Sequence, residues 1–324
     1  MKKGRAFVWA VVAVVLIIGA FFAGDRRRDY IDNVREELIW SIGVYKGDTP
    51  FSLKDPPDIR NPVLTYEDVT DRNALFVADP FLVREGDRWY LFLEVALADP
   101  YGKGVLAVAT SEDGRQWTYD RVVLEEPFHL SYPQVFKWEG EYYLIPETWQ
   151  KSSARLYHAT EFPYKWEYVK TIIPTQMVDP SLFRQDDVWY LIGATDYEQW
   201  DTTRLYFAES LTGPWKEHPM SPIVQGDANK SRPGGRMLQM DGSWYRIAQD
   251  CLPTYGNQVL AFRITELSPT RYAEEPVDEN PVLAPSGEWW TTMGMHQIDA
   301  LPLEGGGWIS TVDGQAYQKY RFRR

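Results

Sequence analysis

Asp79 and Asp179 each stand before a proline in near-identical stretches, "VADPFLVREGDRWYLFLEV" at 77–95 and "VDPSLFRQDDVWYLIGAT" at 178–195. A third copy, "SYPQVFKWEGEYYLIPET" at 131–148, has Tyr132 in the Asp place and Glu147 near its end. Paired carboxylates suit glycosidic-bond chemistry, in which one protonated acid assists the leaving oxygen and one ionised acid serves as base or nucleophile. Acids gathered in one place also push their pKa values apart, which keeps one of them protonated. Asp79 is thus the expected base or nucleophile and Glu147 the expected acid. Asp179 is expected to position substrate or tune a neighbour. The competing explanation for an Asp before Pro is a turn cap that bonds backbone amides.

The spacing of these residues points to the elements that must bring them together. With the aromatic of each second strand as a ruler, Trp89, Tyr142, Trp189, Trp244 and Trp308 mark five repeats. Each follows a polar turn: "EGDR", "EGE", "QDDV", "MDGS" or "GGG". Ten residues before the ruler stand Asp79, Tyr132, Asp179, Gly234 and, with one residue of slack, Asp299. Five residues after it stand Glu94, Glu147, Ala194, Gln249 and Asp313. Third and fourth strands follow with period-2 alternation, as in "GVLAVATSEDG" and "YDRVVLEE".

Four strands per repeat predict an all-β fold, a five-bladed β-propeller over residues 39–324. The last repeat runs out of chain after "STVDGQAYQKYRFRR", and the segments 39–47 and 61–69 resemble its missing strands. An N-terminal segment that completes the last blade removes the ring's open edges. The first strands of the blades line the central channel, so Asp79, Glu147 and Asp179 are expected to converge there. Glu94 and Asp313 are expected nearby.

In the fourth repeat "KSRPGGRMLQ" places Arg232 and Arg236 where the others have Asp or Tyr. Arginine offers a planar fork for a carboxylate or phosphate, so both are candidates to grip an anionic substituent. The alternative is that Arg236 neutralises Asp79 and Asp179. Asp250 and Tyr255 in "AQDCLPTYG", His129 in "FHLSYP", and His296 with Asp299 in "GMHQID" complete the candidate substrate-binding set with Tyr132. No zinc motif, phosphate-binding glycine loop or nucleophile elbow is present, so neither metal nor cofactor is expected.

Composition narrows the partners. The 14 Trp and 20 Tyr suit strand packing and equally suit stacking on sugar faces. A net charge of −12 without a basic stripe argues against nucleic acid. The single cysteine, Cys251, excludes an intrachain disulfide framework. A basic N-terminus (1–5) precedes 19 apolar residues at 6–24, long enough for a transmembrane helix, and residues 25–38 form a linker. Phe21 and Ile18 occupy the −3 positions of possible cleavage sites, which favours an uncleaved single-pass anchor with the body outside the cytoplasm.

The ordered motifs "ADPF", "HLSYPQVF", "IPET", "VDPSLF", "GPWKEHPMSPI", "GGR", "HQID" and "VDG" resemble the N-terminal propeller domain of plant glucosamine inositolphosphorylceramide transferases and its bacterial relatives, over about residues 40–315. In the plant proteins the glycosyltransferase is a separate C-terminal domain, so the resemblance does not carry transfer activity to these residues. The architecture is more distantly similar to family-43 and family-32 glycoside hydrolases. That likeness implies an Asp on blade one and an Asp on blade three, matched by Asp79 and Asp179. The Glu those enzymes carry on blade four has no counterpart here, because Gly234 and Arg236 occupy that region. The expected function is a membrane-anchored, carbohydrate-active propeller that hydrolyses or transfers a glycosidic bond of a glycan or glycoconjugate. The alternative is a non-catalytic glycan-binding module, or a scaffold that holds a polysaccharide-assembly partner.

Overall fold

The computed structural model describes residues 34–195 and 198–321. They fall mainly in one compact unit, 38–317; the second unit takes residues 1–37 and 318–324. The expected basic N-terminus, the apolar segment 6–24 and most of the linker lie outside the described residues. Among the described residues no helix is long and apolar enough to cross a membrane.

Residues 38–317 form five antiparallel sheets, the blades of a five-bladed propeller. Blade one is Ala74–Glu85, Arg88–Leu97, Gly104–Ser111 and Thr118–Leu124. Blade two is Ser131–Trp138, Glu141–Glu147, Ala154–Glu161 and Lys165–Ile173. Blade three is Val178–Gln185, Val188–Ala194, Thr203–Ala208 and the short Lys216–Glu217. Blade four divides its first strand into Arg232–Pro233 and Leu238–Met240, then continues with Ser243–Asp250, Gln258–Ser268 and Arg271–Pro276. Blade five joins Ile298–Pro302 and Trp308–Arg321 to the N-terminal strand Val34–Gly47. The expected closure of the ring by N-terminal strands is therefore observed, with Ile42 bridging on to Leu64 in the place of a fourth strand.

The turns between first and second strands follow from their residues. Gly86-Asp87, Glu139-Gly140, Asp186-Asp187 and Asp241-Gly242 are two-residue loops, fixed by the pairs Glu85–Arg88, Trp138–Glu141, Gln185–Val188 and Met240–Ser243. The first residue of each has φ between 51° and 60°, the left-handed geometry that matches strand twist in a tight hairpin. The five ruler aromatics separate into five apolar clusters. Each cluster lies between two neighbouring blades; Phe81, Phe92 and Leu106 of blade one meet Val135, Tyr142 and Leu144 of blade two.

The Asp-Pro dipeptides mark a β-bulge. Strand register slips between Ala78 and Phe81, between Ser131 and Gln134, and between Val178 and Ser181. The residues at the slip, Asp79, Tyr132 and Asp179, have φ of 54°, 49° and 49°. A bulge re-aims one side chain out of the pleat, and the following proline has no N–H to leave unpaired there.

Deleting residues 1–33 should leave a cooperatively melting propeller, whereas deleting 1–70 should not. The longer deletion removes Ile39, Ile42, Val44 and Leu64, all fully buried. Each contributes roughly 1.5–3 kcal/mol by burial, a sum comparable with the ~5–15 kcal/mol net stability of a domain. Thermal melts of the two truncations by circular dichroism check this.

Candidate active site

Of the bulged residues, Asp79 lines a pocket of about 250 Å³ at one end of the channel. Its floor carries Asp79, Glu94, Glu147, Arg232, His129 and His296, and its walls carry Trp40, Phe76, Trp149, Trp200 and Tyr255. Asp79 comes from a first strand, Glu94 and Glu147 from the ends of second strands, and Trp40 from the N-terminal strand that closes blade five.

Carboxylates hold neighbouring blades together at this level. The Asp79 amide donates to Asp313 Oδ2 at 3.1 Å, and the Tyr132 amide donates to Asp79 Oδ2 at 3.0 Å. The Asp179 amide donates to Glu147 Oε2 at 3.1 Å. Arg232 lies beside this ring, bonded through Nε to Asp179 and 3.6 Å from Glu147 through Nη2. Its guanidinium also covers the Tyr255 ring at 4.9 Å.

His296 is held on one face and at one nitrogen. Trp40 stacks on it with centroids 4.0 Å apart, and Nδ1 lies 2.7 Å from Asp313 Oδ1. Its Nε2 points at Asp79 Oδ1, 3.5 Å away. On the other wall His129 Nδ1 accepts the Gly104 amide at 2.9 Å, which leaves Nε2 facing Glu94 Oε1 at 3.6 Å. A Cβ on Gly104 would come within 2.3 Å of Leu130 O and 2.5 Å of that Glu94 oxygen, so glycine is required there for the approach.

Burial sets the proton affinities. It pushes Asp79 up to about 7, with the Asp179 and Asp313 carboxylates adding to the rise and His296 opposing it. Burial likewise holds Glu147 and Glu94 well above the ordinary carboxylate range; Asp179 adds to the first and Asp79 to the second. For His296 burial acts downward, but the adjacent Asp313 outweighs it and the pKa rises. His129 falls to about 4, through burial and then the Arg232 charge, and is neutral near pH 7. The floor therefore holds carboxyl groups that keep a proton near neutrality, beside a histidine that favours its charged form.

Six of the residues expected in the site line the pocket: Asp79, Glu147, His129, Arg232, Tyr255 and His296. Asp179 is 1% exposed and sits behind Arg232, with Gln249 Nε2 donating to it at 3.0 Å. Tyr132 is a correction: its hydroxyl is buried between Ser181 Oγ at 2.8 Å and Gly235 O at 2.7 Å, so its role is to join blades. Asp250 accepts the Leu252 amide at 3.0 Å and Gln258 Nε2 at 2.8 Å, and shapes the loop that carries Tyr255. Arg236 and Asp299 lie outside the pocket. Arg236 pairs with Asp299 and donates to Leu82 O at 2.8 Å, so it is a counter-ion, though for Asp299 and not for Asp79 or Asp179. Of the two arginines expected to grip an anion, Arg236 is taken up by Asp299 outside the pocket, and Arg232 pairs with Asp179 while lining the pocket.

Glu94, noted in the repeat register but assigned no role, stands in the floor. The aromatic walls were missed as well. Trp149 follows Glu147 by two residues, and Trp200 interrupts the polar run "DYEQWDTT". Trp200 has φ of 54°, unusual for a bulky residue, and its indole N–H is buried without a partner. Among the described residues Asp79, His296 and Asp313 form the group whose ligand atoms lie within 4.8 Å of one another. Both Asp313 oxygens already accept hydrogen bonds from His296 and from backbone amides, so the trio is a hydrogen-bonded set.

Fold and site together define a five-bladed propeller with a carboxyl-floored, aromatic-walled axial pocket. The chain belongs to the family described as glucosamine inositolphosphorylceramide transferase 1, N-terminal, which matches residues 33–315. It is 37% identical over 297 residues to glucosamine inositolphosphorylceramide transferase 1 of Oryza sativa subsp. japonica, covering 85% of this chain and 40% of that one. The Arabidopsis thaliana protein of the same name is 33% identical over 297 residues, covering 85% and 39%. The chain thus spans well under half the length of these relatives. Solved structures share the fold: β-1,2-mannobiose phosphorylase from Listeria innocua has a TM-score of 0.60 at 13% identity, covering 83% of this chain and 96% of that one. The catalytic domain of the Coprinopsis cinerea family-62 α-L-arabinofuranosidase has a TM-score of 0.58 at 13% identity, covering 76% and 92%.

The raised Asp79 predicts a stability effect. Its folded value of about 7 exceeds the ordinary ~3.9, so the folded state binds more protons than the unfolded chain between these values. Stability therefore falls as pH rises through that window and stays low above it. Asp79→Asn removes the charge and keeps an acceptor for the Tyr132 amide. It should raise the melting temperature by several degrees at pH 8, and by little near pH 4. Melts of both proteins across that range check the sign.

Proposed function

We propose that the propeller binds a glycan or glycoconjugate in the axial pocket and acts on a glycosidic bond there with its floor carboxyls. The observation that carries this reading is the meeting of Asp79, Glu94 and Glu147, all held above the ordinary carboxylate range, with three tryptophan walls. Raised carboxyls supply the proton that a departing sugar oxygen needs, and flat indoles suit the C–H faces of sugar rings. Asp79 acts as base or nucleophile, with its proton affinity tuned by His296. Glu147 acts as the acid, and Asp179 positions Arg232 between the two. The names of the relatives favour an amino-sugar or inositol-phosphate headgroup. In this reading the apolar segment 6–24 anchors the chain in a membrane, with the propeller outside the cytoplasm.

A second reading is a binding module without turnover. It is favoured by the bonds that Glu147 already makes, to the Asp179 amide and towards Arg232, which occupy one of its oxygens.

Asp79→Asn separates the two. With glucosaminyl-inositol phosphate and a panel of aryl glycosides as probes, the enzyme reading expects loss of turnover with affinity within a few-fold, a loss confined to the transition state. Unchanged turnover, or glycan binding by a chain that turns over none of the panel, supports the binding module. Trp200→Ala and Trp149→Ala should each weaken binding by roughly tenfold, about 1.4 kcal/mol. Titration calorimetry measures this, and unchanged affinity in both variants would remove the stacking walls from the reading.

A further inference from the structure

The two ends of the propeller differ in the large apolar side chains they expose. The end away from the pocket carries the hairpin turns between first and second strands and those between third and fourth strands. Those turns expose Asp87, Glu139, Asp186, Asp187, Asp241 and Glu304, and none carries an exposed large apolar side chain. The pocket end is built by the connections between second and third strands and between successive blades. There Tyr101 is 93% exposed, Trp289 57%, and Leu252, Met293 and Tyr317 also project.

Chain neighbours tie each of these side chains to the pocket. Tyr101 precedes Gly104, which packs on Glu94 and His129. Leu252 shares its loop with the wall residue Tyr255. Trp289 and Met293 belong to the connection that ends in His296, and the Met293 amide donates to Gln315 O at 2.8 Å, two residues before Tyr317. Isolated exposed apolar residues are ordinary on a soluble surface. Tyr168, Val169 and Met220 are exposed along the outer strands, while the other five gather at one end around a pocket mouth, which marks an interaction surface.

The path of the chain identifies what that surface meets. The N-terminal strand runs from the pocket end, where Trp40 lines the wall, to the far end, where Gly47 O lies 3.0 Å from a Cβ built on Gly307 of the fifth hairpin turn. Within the propeller unit, the chain therefore begins, at Leu38, at the pocket end. The thirteen residues 25–37 reach at most ~45 Å back to the 19 apolar residues at 6–24, a stretch long enough to cross a bilayer. The net charge of −12 opposes an anionic surface.

We propose that the pocket-bearing end is a docking surface for a neutral, zwitterionic bilayer, with Tyr101, Leu252, Trp289 and Met293 seated at the headgroup level. Aromatic side chains prefer that interface because their rings are apolar and their polar tips stay wet. The pocket then opens towards lipid headgroups, and its ligand is the sugar-bearing headgroup of a glycolipid. That last step rests on the glycan reading; the docking itself does not.

The full chain in phosphatidylcholine nanodiscs tests it. Cys251→Ser clears the background, since Cys251 is the one cysteine, and a fluorophore is placed at Tyr101→Cys, Trp289→Cys or, as the far-end control, Asp187→Cys. Brominated phosphatidylcholine should quench the probes at 101 and 289 at least threefold more than the probe at 187. Equal quenching at both ends, stronger quenching at 187, or a chain that does not enter the discs overturns the proposal. Probes at 101 and 289 shielded from aqueous iodide but unquenched by brominated lipid, with a doubled mass, also overturn it in favour of a second copy on this face. Binding of soluble glucosaminyl-inositol phosphate is measured in parallel on detergent-solubilised chain. Its absence alongside a clear quenching contrast sinks the glycan reading and leaves docking intact, and the reverse pattern sinks docking alone.

Discussion

Neighbouring blades are joined at the channel by carboxylates that accept the backbone N–H of a left-handed bulge residue on the next blade. Asp313 accepts from Asp79, Asp79 from Tyr132, and Glu147 from Asp179. An ordinary strand would use those amides in its own ladder. The bulge releases them, and the following proline ensures that no second amide is stranded. Each of these acids is almost fully buried, so each hydrogen bond it accepts offsets part of a large desolvation cost. Blade order and the site are thus fixed by the same few atoms.

This economy leaves the acids crowded. Asp79, Asp179, Asp313, Glu94 and Glu147 share the compensation of one buried arginine and one buried histidine. Burial is the larger cause of the raised proton affinities of Asp79, Glu94 and Glu147, and repulsion from neighbouring acids adds to it. The centre of the propeller is stabilised by shape and hydrogen bonding while its charges work against it. That conflict is common where chemistry or ligand binding sets the residue choice. The five apolar clusters between blades carry the stability that the centre lacks.

The aromatics divide between two tasks. The ruler residues Trp89, Tyr142 and Trp189 pack between blades, where a large flat side chain fills the wedge that opens with radius. Trp40, Trp149 and Trp200 stand at the pocket end, where Trp149 and Trp200 leave part of their surface free and Trp40 stacks on His296. The contrast between acidic turns at one end and apolar tips at the other has the same origin as the repeats. Hairpin turns need left-handed, polar residues, while the longer connections at the pocket end are free of that demand and take other residues.

Amino-acid order by itself determined the repeat, the polar turns, the five-bladed ring and the strands near 39–47 and 61–69 that close it. These follow from period-2 patterning and from counting, which need no knowledge of contacts. It also placed Asp79 and Glu147 at the channel, because register alone sends those positions inward. Tertiary structure decided what register cannot. Arg236, four residues beyond the pocket residue Arg232, was paired with Asp299 and not with the floor acids. Tyr132 was turned to a hydroxyl bond between blades, and Trp40 was brought from the far N-terminal side to stack on His296. The proton affinities belong to the folded state alone, because desolvation exists only once five distant segments exclude water from the same small space.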